Sequence, residues 1–467
     1  MRFGVALPDS AEKKDQPTSN YRKILNLALP VGIEAVLQTS LGLIDQVIVG
    51  LLGASGVAGV GLSNSVSFIV VLIYSAIGTG SGVLVAQAFG RENMEEVSAT
   101  AALGQMVAGI LGFGTALPLI LFPSVILRCV GAQQEVANEA AGYFQLFAAS
   151  APLTAISAVT TATFRSLNDS RTPMMVTIGA AALNTLVGFF LVLGISPFPK
   201  LGVLGAGIAT LLSQALRCLV LLILLYRRKE GPNWRWPWQC LGIERILKRL
   251  FEITYPLALS ELLWGTSAFL YTLVFTRLGT AALAASQIAM VIENLFIAAG
   301  SGLAPAAVAT IGQLMGTGSI DRAKRNAATV LRLGALAALA FTALLIGAAF
   351  FLPVLYPQMK KDVLPLAFWG ILIAACVQPA KVLNNILGNG ILPSGGDTKF
   401  VLAGHVIASY LVGLPAAVWL GIFWGLTVWV FAARAIEEIT KVILFLLRFF
   451  CSAWYEKSTV AVSSTPE

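Results

Sequence analysis

Residues 24 to 52 form one long, mostly apolar run that nevertheless carries two carboxylates, Glu34 and Asp45. The run exceeds the ~20 residues that take a helix across ~30 Å of hydrocarbon. An ionised side chain at the centre of such a helix costs about 2.5–3.5 kcal/mol even on the mildest insertion scales. A segment that accepts this cost twice must turn both groups away from lipid. Only helices and closed barrels satisfy every backbone polar group inside a bilayer. Unbroken runs of this length, as opposed to ~10-residue alternating segments, select helices.

Runs of the same kind recur along the chain. Of its 467 residues, 57% are hydrophobic and 12% are charged, whereas soluble domains carry about 25% charged residues. The pattern predicts an all-α integral membrane protein with twelve transmembrane helices. Their spans are 24–52, 58–88, 97–122, 138–163, 172–195, 202–226, 248–276, 282–313, 325–353, 362–388, 400–421 and 423–448. The polar opening, "MRFGVALPDSAEKKDQPTSN", lacks the apolar stretch of a cleaved signal peptide. The five cysteines (129, 218, 240, 376 and 451) are scattered without a CxxC pair, so neither a disulfide framework nor a metal site is expected.

Loop charge sets the orientation. With the N-terminus inside, most of the 31 Lys and Arg fall in cytoplasmic segments, as the positive-inside rule requires. Away from the span ends lie Arg217, Lys381, Arg434 and Lys441. The net charge of +8 therefore reflects topology, and no nucleic-acid partner is expected. The expected division is a cytoplasmic tail (1–23), an N-terminal lobe (24–226), a basic cytoplasmic linker (227–247), a C-terminal lobe (248–448) and a second cytoplasmic tail (449–467). The linker's three tryptophans are expected at the membrane interface.

The two halves repeat each other. At an offset of 226, Pro30 pairs with Pro256, "LG" at 52–53 with "LG" at 278–279, Ala58 with Ala284, and "QAFG" (87–90) with "QLMG" (313–316). Farther on, "SLNDSR" (166–171) pairs with "SGGDTK" (394–399). Six spans per half is an even number, so both halves enter the membrane from the same side. The result is a parallel repeat about a pseudo-two-fold axis along the membrane normal, with a cleft between two six-helix lobes. Such a body alternates access by rocking.

On the first helix Glu34, Gln38, Leu41 and Asp45 follow i, i+4, i+7 and i+11. They share one face, and the carboxylates lie roughly 16 Å apart along the axis. Three further intramembrane groups are Glu261, Glu293 and Lys381. Either glutamate attracts a cationic substrate to the cleft or pairs with Lys381. Glu34, nearer the cytoplasmic end, either lines a wet inner vestibule or handles substrate or protons. His405, the only histidine, reads as interfacial. "RAIEEITK" (434–441) spaces Arg434 with Glu438 and Glu437 with Lys441 at i, i+4, a satisfied helix face. "GTGSG" (78–82) lies within a span and reads as close helix packing.

No GxxxxGK[ST], GxSxG or HExxH motif is present. An enzyme is not expected, and neither is a cofactor.

The chain resembles the multidrug and toxic compound extrusion (MATE) transporters. The resemblance rests on "LALPVGIEAVLQTSLGLIDQVIVGLLG" (27–53), "FRSLNDSRTPMM" (164–175), "NNILGNGILPSGGDTKF" (384–400) and "HVIASYLVGLP" (405–415). It implies a twelve-helix antiporter of the plasma (inner) membrane that exports organic compounds, often cations, in exchange for H⁺ or Na⁺. It also implies that Asp45 is a cation or proton site, with Asn184 and Thr210 beside it. The family often carries a second polar residue four positions after the Asn, where this chain has Gly188. That absence favours H⁺, which needs one carboxylate, over Na⁺, which needs several oxygens. A monomer is expected. A flippase for a lipid-linked precursor is the alternative that shares the two-lobe architecture.

Overall fold

A computed structural model describes residues 17–51, 54–228, 232, 242–357, 362–451 and 454–455. Most of the two tails and of the linker, including its tryptophans, lie outside the described residues. The described residues are helical throughout, without strands. The first half contains α1 (Pro17–Gly50), α2 (Ala54–Gly90), α3 (Met94–Leu121), a short α4 (Pro123–Cys129), α5 (Gln134–Ser166), α6 (Arg171–Leu193) and α7 (Val203–Tyr226). The second half contains α8 (Ile243–Arg277), α9 (Thr280–Gly300), α10 (Leu303–Gly316), α11 (Ile320–Leu355), α12 (Val363–Ser394), α13 (Thr398–Phe423) and α14 (Thr427–Phe450).

Twelve crossings result when α9 and α10 count as one and α4 is left out. Among the described residues eleven segments are long and apolar enough to cross a membrane. The twelfth, α14, carries Arg434, Glu437, Glu438, Lys441 and Arg448 and is apolar elsewhere apart from Thr427 and Thr440. A helix so loaded spans a bilayer only if its charges turn inward, and Glu437 and Lys441 are indeed buried.

Three local features depart from simple spans. The predicted span 282–313 breaks at Ser301 and Gly302, where Gly302 lies against the backbone carbonyl of Ala28 on α1. Pro305 falls in the first turn after the break, where its missing N–H has no helical partner to lose. α12 widens into a π-turn over Leu387–Ile391, and α13 does so over Val406–Gly413 and Val418–Phe423. Such widenings are rare and concentrate at functional sites. Finally, α5 runs to Ser166, so Arg165, expected in a loop beyond residue 163, belongs to the helix.

Small residues set the helix spacing, because lipid-embedded helices gain most from close van der Waals approach. Gly78 packs on the carbonyl of Ala158 and Gly82 on Ala162, so the "GTGSG" segment serves close packing. Between the halves the contact is reciprocal. Gly90 abuts the carbonyl of Gln313, and Gly316 abuts the carbonyl of Gln87. These two glycines are the last letters of the repeated "QAFG" and "QLMG".

The same spacing argument predicts which glycines are irreplaceable. A Cβ at Gly112 would lie 2.5 Å from Cα of Pro152 and 3.0 Å from its nitrogen, both backbone atoms of α5 that cannot rotate away. Nothing lies within 4 Å of a Cβ at Gly114. Gly112→Val should lower stability by about 1–3 kcal/mol through overpacking, read as a depressed thermal midpoint in detergent. Gly114→Val should leave the midpoint unchanged or raised.

Candidate ion-coupling site

Asp45 sits on α1 in the half away from the linker. α6 antes its polar pair opposite: Asn184 Nδ2 donates to Asp45 Oδ2 at 2.7 Å, and Thr185 Oγ1 donates to Asp45 Oδ1 at 2.8 Å. Each carboxylate oxygen thus has its own donor. Ser213 on α7 donates to Asn184 Oδ1 at 3.5 Å, the outer limit of a hydrogen bond, and holds the amide with its NH₂ toward Asp45. Asp45 is half-buried, and the pattern meets the rule that a carboxylate removed from water needs hydrogen-bonding partners.

The group lines a cavity of about 230 Å³ inside the N-terminal lobe, together with Asn64, Tyr143, Asn184, Gly188 and Thr210. Tyr143 donates its hydroxyl to Asn64 Oδ1 at 3.4 Å. Gly188, where a second polar ligand was looked for, faces the Cβ of Ala209 and brings no oxygen side chain to the cavity.

Thr210 lines the cavity, but its hydroxyl donates to the carbonyl of Ala206 at 3.0 Å and makes no bond to Asp45. Thr185 holds that place. Sequence reasoning missed it because adjacent helix positions point about 100° apart. The two oxygens of one carboxylate are far enough apart to be met by both neighbours. A hydroxyl directly after the Asn was the available signal.

Glu34 corrects a second expectation. It is 3% exposed, not wet, and accepts from Arg165 Nη2 at 2.8 Å. Arg217 on α7 is the next cation to face it. The residue is therefore half of a buried ion pair joining α1 to α5. Gln38, one turn on, is exposed and joins neither carboxylate. The stripe of the first helix thus divides into a structural end at Glu34 and an open, cavity-lining end at Asp45.

The C-terminal lobe holds a separate charged network. Glu293 on α9 pairs with Lys381 on α12. Glu261 on α8 lies by the side chain of Asn389 and does not take Lys381. Lys441 bridges Glu437 at 3.3 Å and Glu438 at 3.4 Å. Glu438 also accepts from Asn384 at 2.7 Å, and Glu437 from Ser409 at 2.5 Å. Arg434 lies over the ring of Tyr271, 5.7 Å from its centroid, where an i, i+4 pair with Glu438 was expected.

The charged side of segment 434–441 is therefore a satisfied helix face, as expected, and Glu437 and Lys441 on it are buried within the lobe. Its charges at i, i+3, i+4 and i+7 lie on one side of an otherwise apolar helix, which was the legible sign. His405, expected at the interface, hydrogen-bonds Ser260 and stands edge-on to Phe445 at 5.9 Å within this lobe. Among the described residues no group of three or more His, Cys, Asp or Glu is placed to hold a metal.

A sequence model of the MatE family matches residues 30–190 and again 256–419. The two matches begin 226 positions apart (256 − 30), the offset of the internal repeat. A relative from Thermotoga maritima, described as a probable multidrug resistance protein NorM, is 26% identical over 336 residues. It covers 70% of this chain and 69% of its own. The multidrug resistance protein MdtK of Pectobacterium atrosepticum is 26% identical over 455 residues, covering 91% of this chain and 96% of its own. Among solved structures, the Vibrio cholerae MATE transporter VcmN superposes with a TM-score of 0.85 at 19% identity, over 94% of this chain and 99% of that one. An outward-facing MATE family transporter gives 0.85 at 18% identity, over 95% and 97%. At these identities the structures establish the shared fold.

The Glu34–Arg165 pair yields a double-mutant test. Arg165→Met strands a buried carboxylate and should cost about 3–5 kcal/mol. Glu34→Gln with Arg165→Met should recover most of that loss. Thermal midpoints of the two single variants and the double variant in detergent report the coupling, and strict additivity would contradict the pairing.

Proposed function

This chain belongs to the MatE family of multidrug efflux transporters, and from that premise we propose that it is a proton-coupled antiporter in which Asp45 carries the exchanged proton. It is a multi-pass membrane protein and a transporter, not an enzyme. The proposed cargo is an organic cation, exported across the plasma (inner) membrane with both termini cytoplasmic. No cofactor enters the reading.

One observation carries it: both oxygens of Asp45 are met by donors on a cavity wall, in a lobe interior where an ionised carboxylate otherwise has no compensation. The donor set suits a proton. When Asp45 is protonated, its new O–H needs an acceptor. The Thr185 hydroxyl serves either way, because it accepts as readily as it donates. The two protonation states can thus exchange without a gap in the hydrogen bonding. Sodium would need several oxygens turned toward it, yet Asn184 presents its NH₂ and Gly188 presents nothing.

Cavity size divides labour between ion and cargo. About 230 Å³ holds several waters at ~30 Å³ each but falls below the ~300–1,000 Å³ of sites that take drug-sized ligands. Cargo therefore seats mainly in the cleft between the lobes, with the Asp45 cavity at its side. Cargo cation and proton compete through charge: a neutral Asp45 releases the cation that an ionised one attracts. The roles of Asn184 and Thr210 follow as orienting Asp45 and walling the cavity. Glu34, Glu261, Glu293 and Lys381 are read as structural charges, since all but Glu261 are held in ion pairs.

The test is transport in inside-out vesicles with one ion gradient imposed at a time. A proton gradient, acid inside, should drive uptake of a cationic dye such as ethidium, and a sodium gradient at equal pH should not. Thr185→Val should cut proton-driven uptake by roughly tenfold, the scale of one lost charge-assisted hydrogen bond. Equal uptake under sodium alone would overturn the proton assignment.

A further inference from the structure

Gln87 and Gln313 stand 226 positions apart, each three residues before its repeat's glycine, Gly90 or Gly316. Both side chains cross between the lobes. Gln87 Nε2 donates to the carbonyl of Ser394 at 3.0 Å. Gln313 Nε2 donates to the carbonyl of Ser166 at 2.8 Å. The acceptors repeat as well, since Ser166 and Ser394 open the paired segments "SLNDSR" and "SGGDTK".

The other end of each amide follows the same symmetry. Gln87 Oε1 accepts from Arg249 at 3.0 Å, and Gln313 Oε1 accepts from Lys23 at 3.4 Å. Lys23 and Arg249 are themselves 226 apart (249 − 23). Asn168 adds a second donor to Gln313 Oε1 at 3.4 Å. Around this pair the backbones cross at Gly90 against Gln313 and at Gly316 against Gln87. A donor, an acceptor, a cation and a glycine crossing are thus each present twice, once per lobe.

All of these groups lie at the end of the molecule that carries the linker, where α2, α5, α10 and α12 terminate and α8 begins. Gln87 is 2% exposed and its bond to the Ser394 carbonyl is buried, while Gln313 and its bond to the Ser166 carbonyl are partly buried. Separating the lobes at this end breaks both bonds at once and leaves four amide atoms to find new partners. Sliding is equally blocked, because each glutamine sits beside the glycine whose close approach fixes the register.

We propose that these two glutamine bridges form a paired clasp that holds the linker end of the cleft shut and sets the balance between the two access states. Symmetry gives the device its sharpness: the bridges open together, so the closed state gains from both and the open state from neither. The inference needs the lobes to rock but does not need Asp45 to carry a proton, so the two readings fail separately.

The experiment uses the full chain in lipid nanodiscs with all five cysteines replaced. Nitroxide labels go on Arg171→Cys and Lys399→Cys, exposed positions equivalent in the repeat, one beside each clasp. Pulsed electron–electron resonance gives the distance distribution. The parent should show one dominant short distance. Gln87→Ala with Gln313→Ala should raise the long-distance share by about tenfold relative to the short, the scale of losing one buried and one partly buried bond. Each single variant should lie between. The same shift should appear in an Asp45→Asn background. Should the double alanine variant not fold, Lys23→Met with Arg249→Met strips only the Oε1 partners and should move the ratio the same way. An unchanged distribution in whichever variant pair folds would overturn the clasp.

Discussion

Everything in this molecule follows from the cost of placing charge in hydrocarbon. The chain keeps carboxylates, lysines and arginines inside its helices, and most of them are met by ion-pair or hydrogen-bond partners, several from a different helix. Glu34 on α1 holds Arg165 on α5, and Glu293 on α9 holds Lys381 on α12. These pairs pin the helices of each lobe to one another, because separating them would leave an uncompensated charge. A lobe built this way moves as a body. The surface between the lobes, where the proposed rocking would occur, is built of glycine crossings, apolar side chains and amides that accept from Lys23 and Arg249.

Against that background two intramembrane carboxylates stand outside the ion pairs, Glu261 beside Asn389 and, lining a cavity, Asp45. Its partners are neutral, and it lines open volume instead of facing a fixed cation. A carboxylate locked to an arginine cannot exchange its proton usefully; one held by an amide and a hydroxyl can. The repeat underlines the contrast. At the offset of 226, Asp45 falls on Tyr271, which sits beside Arg434 in the C-terminal lobe. The two lobes share one backbone plan, and their interiors carry different chemistry.

Much of this was legible in the sequence. The twelve crossings followed from run length, and the division into halves from paired motifs at a fixed offset. The family model's two matches start at that offset. The family resemblance points to Asp45 and Asn184, and their side chains meet at 2.7 Å. What escaped was pairing at long range. Arg165 and Glu34 are 131 positions apart, and a helix end misplaced by three residues put Arg165 in a loop. Which of Glu261 and Glu293 takes Lys381 depends on how α8, α9 and α12 rotate against one another, and periodicity does not specify rotation. The π-turns of α12 and α13 escaped for a similar reason, since they arise from packing around helix register and leave no composition mark.

The central claim is that Asp45 gives up a proton when cargo binds. Proton release on adding ethidium to purified protein in weakly buffered detergent solution measures this directly. The account predicts a pH-dependent release from the parent protein and none from Asp45→Asn, with the variant still folded. Equal release from Asp45→Asn would place the exchanged proton elsewhere and contradict the account.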